Sequence, residues 1–287
     1  MGDTESQGIP SYFITINPND LRYLKSDVWS DEFVGASLKT GETRYKMKLS
    51  LRGSHIREFP KKSYDLSFIK PRHPFYVKGG HLNAEYIDPS LVRNKLSLDF
   101  FASIGVLSPE SEHIALTVNG KYQGVYLMLE SVDQYFLRKR GLPEGAIYYA
   151  VDDDANFSLV SPFTKKVKKT LESGYERKLG HKSDDGSLRE LIFKINTIPE
   201  EFFGEEILQY IDVTKYLKWL AGVVCTQNFD GFIHNYALYQ NHETKLFEVI
   251  PWDYDATWGR DINGEVMEYD YVPIQGYNTL TARILKN

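Results

Sequence analysis

The sequence predicts an α+β chain in which a strand-rich N-terminal part is followed by a larger, mainly helical part. Three observations predict it. Polar and apolar residues alternate in the first part, as half-buried strands require. Apolar residues recur every three to four positions in the second, as amphipathic helices require. Tyr and Phe, at 20 and 16 of 287 residues, supply the half-buried rings that strands and clefts use. The expected division is 1–130 for the strand-rich lobe and 131–287 for the helical lobe.

Taken in order, Lys46–Arg52 and Ser63–Phe68 alternate, the second placing Tyr64, Leu66 and Phe68 on one face, with a turn at Arg52-Gly53-Ser54 between them. Ser90–Ala102 has helical spacing, with Ser90 or Asp88 as N-cap and Gly105 just past the end. Ile114–Val118, Asn119-Gly120 and Tyr122–Leu129 read as a hairpin, because Asn-Gly suits a two-residue turn. Ser131–Arg140 reads as a helix ended by Gly141 and Pro143. The polar stretch Asp152–Asp185, with its run Lys165–Lys169, reads as a solvated, mobile insertion. Leu188, Leu191, Ile192, Ile195 and Ile198 mark one amphipathic helix, and a core helix follows Asp212 as N-cap. Leu280–Asn287 reads as the opening of a helix with no stop signal, so the native chain is expected to continue past Asn287.

Composition removes several classes of function. Lys and Arg number 34 against 39 Asp and Glu, a net charge of −5, without the basic excess of a nucleic-acid binder. No apolar run is long enough to span a membrane, and Met1–Ser6 lacks the pattern of a signal peptide, so no membrane partner is expected. The single cysteine, Cys225, excludes a disulfide framework, suits a reducing compartment and reads as a buried, inert thiol.

The chemistry concentrates between Asn228 and Gly259. Tyr236–Gln240 and Leu246–Ile250 read as two strands joined by the turn Asn241–Lys245. Strands about 4.8 Å apart, advancing about 3.3 Å per residue, bring Asn235 and Asp253 within roughly 10 Å at the open end of that hairpin. Asp230 folds back over the same end, and Asp255 lies two residues past Asp253. These are all oxygen donors, apart from His234, and suit Mg²⁺ or Mn²⁺ shared with substrate phosphates. In protein kinases a catalytic-loop Asp is followed five residues later by a metal-binding Asn, then by a hairpin and a metal-binding Asp. Asp230, Asn235 and Asp253 keep that order. The flanking letters differ: no His-Arg precedes Asp230, Asp-Tyr-Asp stands where Asp-Phe-Gly is expected, and no Gly-x-Gly-x-x-Gly or Ala-Pro-Glu is present. Asp230 beside Gly231 would by itself read as a turn residue. His234 reads as structural, and Trp252 and Trp258 read as core.

Six stretches occur in sequence from about Arg44 onward: Arg52-Gly-Ser54, Pro60-Lys-Lys-Ser-Tyr64, Arg93-Asn-Lys-Leu96, Tyr122-Gln-Gly-Val-Tyr126, Asp230-Gly-Phe-Ile-His-Asn235 and Pro251-Trp-Asp-Tyr-Asp255. Together they resemble the spore-coat protein H (CotH) family, which also includes fungal surface proteins with an adhesin role. The resemblance implies a two-lobed atypical protein-kinase-like fold that uses ATP and Mg²⁺ or Mn²⁺. It further implies phosphorylation of Ser and Thr on spore coat proteins, at the spore coat or in the mother-cell cytoplasm. By this resemblance Asp230 is the catalytic base, Asp253 the principal metal ligand, and Asn235 a holder of a second metal or the phosphates. Asp255 either ligates directly or supports a ligand. Lys62 is the candidate phosphate-contacting lysine, and Glu130 a residue that could meet adenine. Arg52 and Lys95 are candidates for phosphate contact or for the ion pair that orients Lys62. Whether Arg52-Gly-Ser54 or Gly79-Gly80 replaces the glycine-rich loop stays open. The acidic balance points to basic, Ser-rich protein substrates. Two other readings compete: a catalytically idle coat scaffold or adhesin, and a metal-dependent hydrolase built on Asp253 and Asp255.

Overall fold

The computed structural model describes residues 8–69, 78–273, 275 and 278–286, and its helices and strands mix in an α+β chain. Two compact units compose it, Met1–Leu91 with Glu110–Ser131, and Val92–Pro109 with Val132–Asn287.

The first unit holds β1 (Ser11–Ile16), α1 (Pro18–Ser26), β2 (Val34–Thr40), β3 (Thr43–Leu51), β4 (Tyr64–Phe68), β5 (Gly79–Asn83), β6 (Ser111–Val118) and β7 (Lys121–Glu130). Among the described residues these seven strands close into a barrel in the order β1-β2-β3-β4-β5-β7-β6. The expected face of β4 is the buried one, with Tyr64, Leu66 and Phe68 inside beside Met47 and Leu49 of β3. Closure depends on the Asn-Gly turn. Asn119 and Gly120 have φ of 47° and 77°, the left-handed pair that a tight hairpin uses. The Asn119 amide then extends the parallel β1–β6 pairing, accepting from Ile16 N at 2.8 Å and donating to Ile16 O at 2.9 Å. A turn residue thereby seals a barrel seam and leaves no edge between first and last strands. Gly79 and Gly80 open β5, where Gly80 pairs with Leu66 of β4.

The second unit holds α2 (Arg93–Ser103), α3 (Gln134–Lys139), β8 (Gly145–Ala150), β9 (Tyr175–Leu179), α4 (Asp185–Thr197), α5 (Glu200–Glu206), α6 (Val213–Thr226), α7 (Asp230–Ile233), β10 (Tyr236–Asn241), β11 (Phe247–Pro251) and α8 (Thr279–Ile284). Its sheet runs β11-β10-β8-β9, so β10 is an interior strand with all six residues buried. Leu188, Leu191, Ile192 and Ile195 of α4 face the core as their spacing predicts, and Asp212 caps α6 by accepting from Lys215 N at 3.0 Å.

Three expectations are corrected. Neither Asp88 nor Ser90 caps α2. Asp88 accepts from Ser90 N at 2.9 Å and Leu91 turns left-handed at φ 60°, so the helix starts at Arg93. Asp152–Asp185 is not a solvated insertion: β9 pairs with β8, and Ala155 and Phe157 are buried in the core. Its apolar residues are too sparse to show a period, which hid this packing. Cys225 is exposed rather than buried. It lies two residues past buried Val223, about 200° around the helix, and so falls outside the buried stripe.

Gly222 sits where α6 meets α2. A methyl built there would lie 2.2 Å from the Phe101 ring. Helix propensity alone favours Ala over Gly by about 1 kcal/mol, but overpacking costs about 1–3 kcal/mol. Gly222→Ala is therefore expected to lower the urea midpoint of unfolding, against its propensity.

Candidate functional site

The end of α6 begins the site. Gln227 turns left-handed at φ 55°, and buried Asn228 accepts from Gly231 N at 3.0 Å through its side-chain oxygen. This shapes the single turn of α7, which starts at Asp230. Gly231 is required there, because a Cβ would lie 2.7 Å from the Tyr254 hydroxyl.

The hairpin supplies the rest. Tyr236 pairs with Pro251, and Asn235 O accepts from Trp252 N at 3.1 Å, which extends the ladder by one step. Asn235 and Asp253 both leave the ladder in the left-handed region, at φ 58° and 60°. Asn and Asp tolerate that region better than other side chains, and such turns recur where a side chain must be aimed. The Asn235 amide donates to Asp230 Oδ2 at 2.8 Å. Both residues are half-buried, as is Asp253.

Asp230 carries the electrostatic signature of the site. Burial lifts its carboxyl above the usual 3.8, His234 opposes that, the charges of Asp253 and Asp153 add to it, and the Asn235 bond opposes it again. His234 lies between two acids, Nε2 at 3.4 Å from Asp230 and Nδ1 at 3.2 Å from Asp153. The second approach is an ion-pair distance without hydrogen-bond geometry.

Asp153 is a site residue that sequence reasoning missed. Its loop follows β8, the neighbour of β10. It is held there by Tyr236 OH, which donates to Ala155 O at 2.6 Å, and by Lys168, which donates to Asn156 Oδ1 at 2.9 Å. The acidic run Asp152–Asp154 was visible, but nothing in the sequence ties it to His234.

Asp253-Tyr254-Asp255 is fixed from α2. Arg93 Nε donates to Asp255 O at 3.0 Å, and Asn94 Oδ1 accepts from Tyr254 N at 3.1 Å. Ser97 Oγ reaches Tyr254 O at 3.4 Å and accepts from Trp258 Nε1 at 3.0 Å. Arg93, Asn94 and Ser97 are all buried. In Arg93-Asn-Lys-Leu96 it is therefore the first two residues that engage this segment, while Lys95 pairs with Asp99 at 2.8 Å. Trp252 is buried and stacks on Tyr149 at 5.1 Å, whereas Trp258 is 40% exposed and not the core residue expected.

The remaining candidates lie in the first unit. Lys62 donates to Arg57 O. Lys61 donates to Ala84 O at 2.6 Å and Val125 O at 2.5 Å, 4.5 Å above the Tyr126 ring, and burial lowers its pKa against the pull of Glu85. Arg52 bonds Asn83 and lies 3.3 Å from Asp65. Glu130 is buried and accepts from Glu110 N at 3.0 Å.

Among the described residues no three His, Cys, Asp or Glu side chains form a metal cage. The donors at the hairpin mouth are two carboxylates and an amide. Of these, Asp230 lines a cavity of about 220 Å³ together with Phe229, Ala256, Asp261, Ile262, Asn263 and Tyr271. A larger cavity of about 340 Å³, lined by residues such as Arg138, His181 and His242, opens at the far end of β8 and β10, away from Asp230.

A family model described as CotH kinase protein matches residues 49–287. The chain belongs to the CotH family. All six CotH-like stretches fall inside the matched range, which begins within β3 and includes the whole second unit. The inner spore coat protein H of Bacillus subtilis (strain 168) is 58% identical over 277 residues, 96% of this chain and 76% of its own length. An inner spore coat protein H-like protein of the same strain is 28% identical over 215 residues, 71% of this chain and 61% of its own.

The raised carboxyl gives a stability test. Asp230 binds its proton more tightly folded than unfolded, so its ionised form costs stability at every pH above the ordinary value of 3.8. That cost is full above the raised value, shrinks as pH falls below it, and is gone once pH is below the ordinary value. Asp230→Asn keeps an acceptor for Asn235 and removes the charge. It is expected to stabilise the protein at neutral pH by about 0.5–2 kcal/mol, with the gain closing under acid in urea melts run across pH.

Proposed function

We propose that this chain is an ATP- and divalent-metal-dependent protein kinase with a two-lobed kinase-like fold, and that it phosphorylates Ser and Thr of spore coat proteins. The observation that carries this reading is the desolvated Asp230 carboxyl, bonded to the Asn235 amide at 2.8 Å and acted on by Asp253. Coat association rests on the names of the two Bacillus relatives, and the activity rests also on the description of the family.

In this reading Asp230 accepts the proton of the acceptor hydroxyl. The hydroxyl oxygen forms its bond to the γ-phosphorus of ATP as the bond to the β,γ-bridging oxygen breaks, and ADP leaves. A raised pKa makes Asp230 a better base than a solvated carboxylate. The Asn235 bond orients the carboxylate, a charge-assisted contact worth about 1.5–3 kcal/mol. Two carboxylates and an amide fit Mg²⁺ or Mn²⁺, which keep several waters and share their sphere with phosphates rather than needing an all-protein cage. Asp253 and Asn235 would hold that cation, with Asp255 as support, and the chemistry it supplies is neutralisation of phosphate charge. Lys62, Arg52 and Lys95 are proposed for the phosphates and Glu130 for adenine.

A second reading, a coat scaffold without catalysis, is favoured by the relatives' names, which state a coat protein and no activity. One experiment separates the two. Incubation with labelled ATP, Mg²⁺ or Mn²⁺ and a coat protein is expected to label the protein acceptor. Asp230→Asn and Asp253→Asn are each expected to reduce the rate about 10²–10⁴-fold. Absence of label with the wild-type chain favours the scaffold. Basic, Ser-rich substrates are proposed from the acidic balance of the chain, and a basic Ser-rich peptide should then react faster at low salt than at high salt.

A further inference from the structure

Two exposed surfaces of the second unit complement each other in charge and share apolar character. The first is the loop closed by the Val160–Val167 bridge. Ser161 N donates to Lys166 O and Lys165 N to Ser161 O, both at 2.9 Å, so the loop is built before any partner arrives. It exposes Phe163 at 61% and Val167 at 72%, with Lys165, Lys166 and Lys169 exposed around them. No acidic residue occurs between Ser158 and Leu171. Buried Lys168 anchors the base through Asn156.

The second surface is the segment that leaves the candidate site, closed by the Arg260–Val266 bridge. It exposes Ile262 at 55%, Val266 at 71% and Tyr269 at 88%. Asp261, Glu265, Glu268 and Asp270 are interleaved with them. Arg260 at its base spends its guanidinium on Gly264 O at 3.2 Å. Each surface thus sets several exposed apolar side chains among charges of a single sign, and an apolar patch rimmed by polar residues is the composition of a contact surface. Each surface is open within one copy, so the two do not cover each other there.

We infer that the basic Val160–Thr170 loop of one copy docks on the acidic Asp261–Asp270 segment of a second copy. Opposite charge steers the encounter and fixes its register, while Phe163 and Val167 meet Ile262, Val266 and Tyr269. The contact is heterologous: after the first contact one copy keeps its acidic segment unused and the other its basic loop, so association either closes into a ring or continues in an open series. Two short loops bury little area, which makes the contact weak and dependent on concentration. The inference does not rest on catalysis, so it stands or falls separately from the proposed kinase.

Sedimentation velocity of the full chain over a concentration series, at low and high salt, tests it. Association is expected to grow with concentration at low salt and to weaken at high salt. Lys165→Glu with Lys166→Glu should raise the dissociation constant about tenfold or more, and so should Glu265→Lys with Glu268→Lys. Mixing these two variants, or combining all four substitutions in one chain, should restore association, which also shows that the variants fold. Phe163→Ser should weaken association without changing its response to salt. A monomer at every concentration overturns the inference. So does association indifferent to both charge reversals, or a loop that binds anionic vesicles while the chain stays monomeric.

Discussion

A carboxylate taken partly out of water without a full complement of donors is costly, and the Asp230 carboxyl is held in that condition. Burial is the largest influence on it, and two further acids, Asp253 and Asp153, raise it further. The Asn235 amide and the His234 ring act the other way. The rest of the second unit can be understood as the frame that maintains this balance. The α6 terminus, the Asn228 bond to Gly231 and the close approach of Gly231 to Tyr254 fix where Asp230 starts. The ladder of β10 and β11 fixes where Asn235 and Asp253 leave the sheet.

That frame is unusually polar for an interior. Arg93, Asn94 and Ser97 are buried, yet their side chains serve the backbone of the segment after Asp253. Buried donors and acceptors that find partners cost little, whereas one left unpaired costs about 1–3 kcal/mol. Such groups favour one arrangement of the loop over its alternatives. The aromatic residues complete the setting: Tyr254 meets Phe101 edge-on at 4.9 Å, and Trp219 Nε1 donates to Tyr254 OH at 3.2 Å. The abundant Tyr and Phe of the sequence thus pack the second core and in several places also bond through a hydroxyl.

Much of this could be read from the residues. The Asn-Gly hairpin, the alternation in β4, the stripe of α4 and the pair of strands around Asn241–Lys245 all depend on neighbours a few positions apart. So did the order of Asp230, Asn235 and Asp253 about that hairpin. Three local readings failed. Asp88 and Ser90 looked like caps but close their own turn, Cys225 lay in an apolar run but faces outward, and Trp258 looked like core but is 40% exposed. Each has a suitable residue type; the cap gave way to a local turn, while the exposure of Cys225 and Trp258 was set by which face the surrounding structure covers.

The sequence by itself determined the α+β class, the family through its ordered motifs, and the group of oxygen donors, because periodicity and spacing act over short range. Only the tertiary structure decided that seven strands close into a barrel, that Asp153 reaches His234, and that Arg93 and Asn94 grip the backbone at Tyr254 and Asp255. Those contacts join positions far apart in the chain. They exist because packing brings buried polar groups to the partners they need, and no pattern of neighbouring residues records which partner that is.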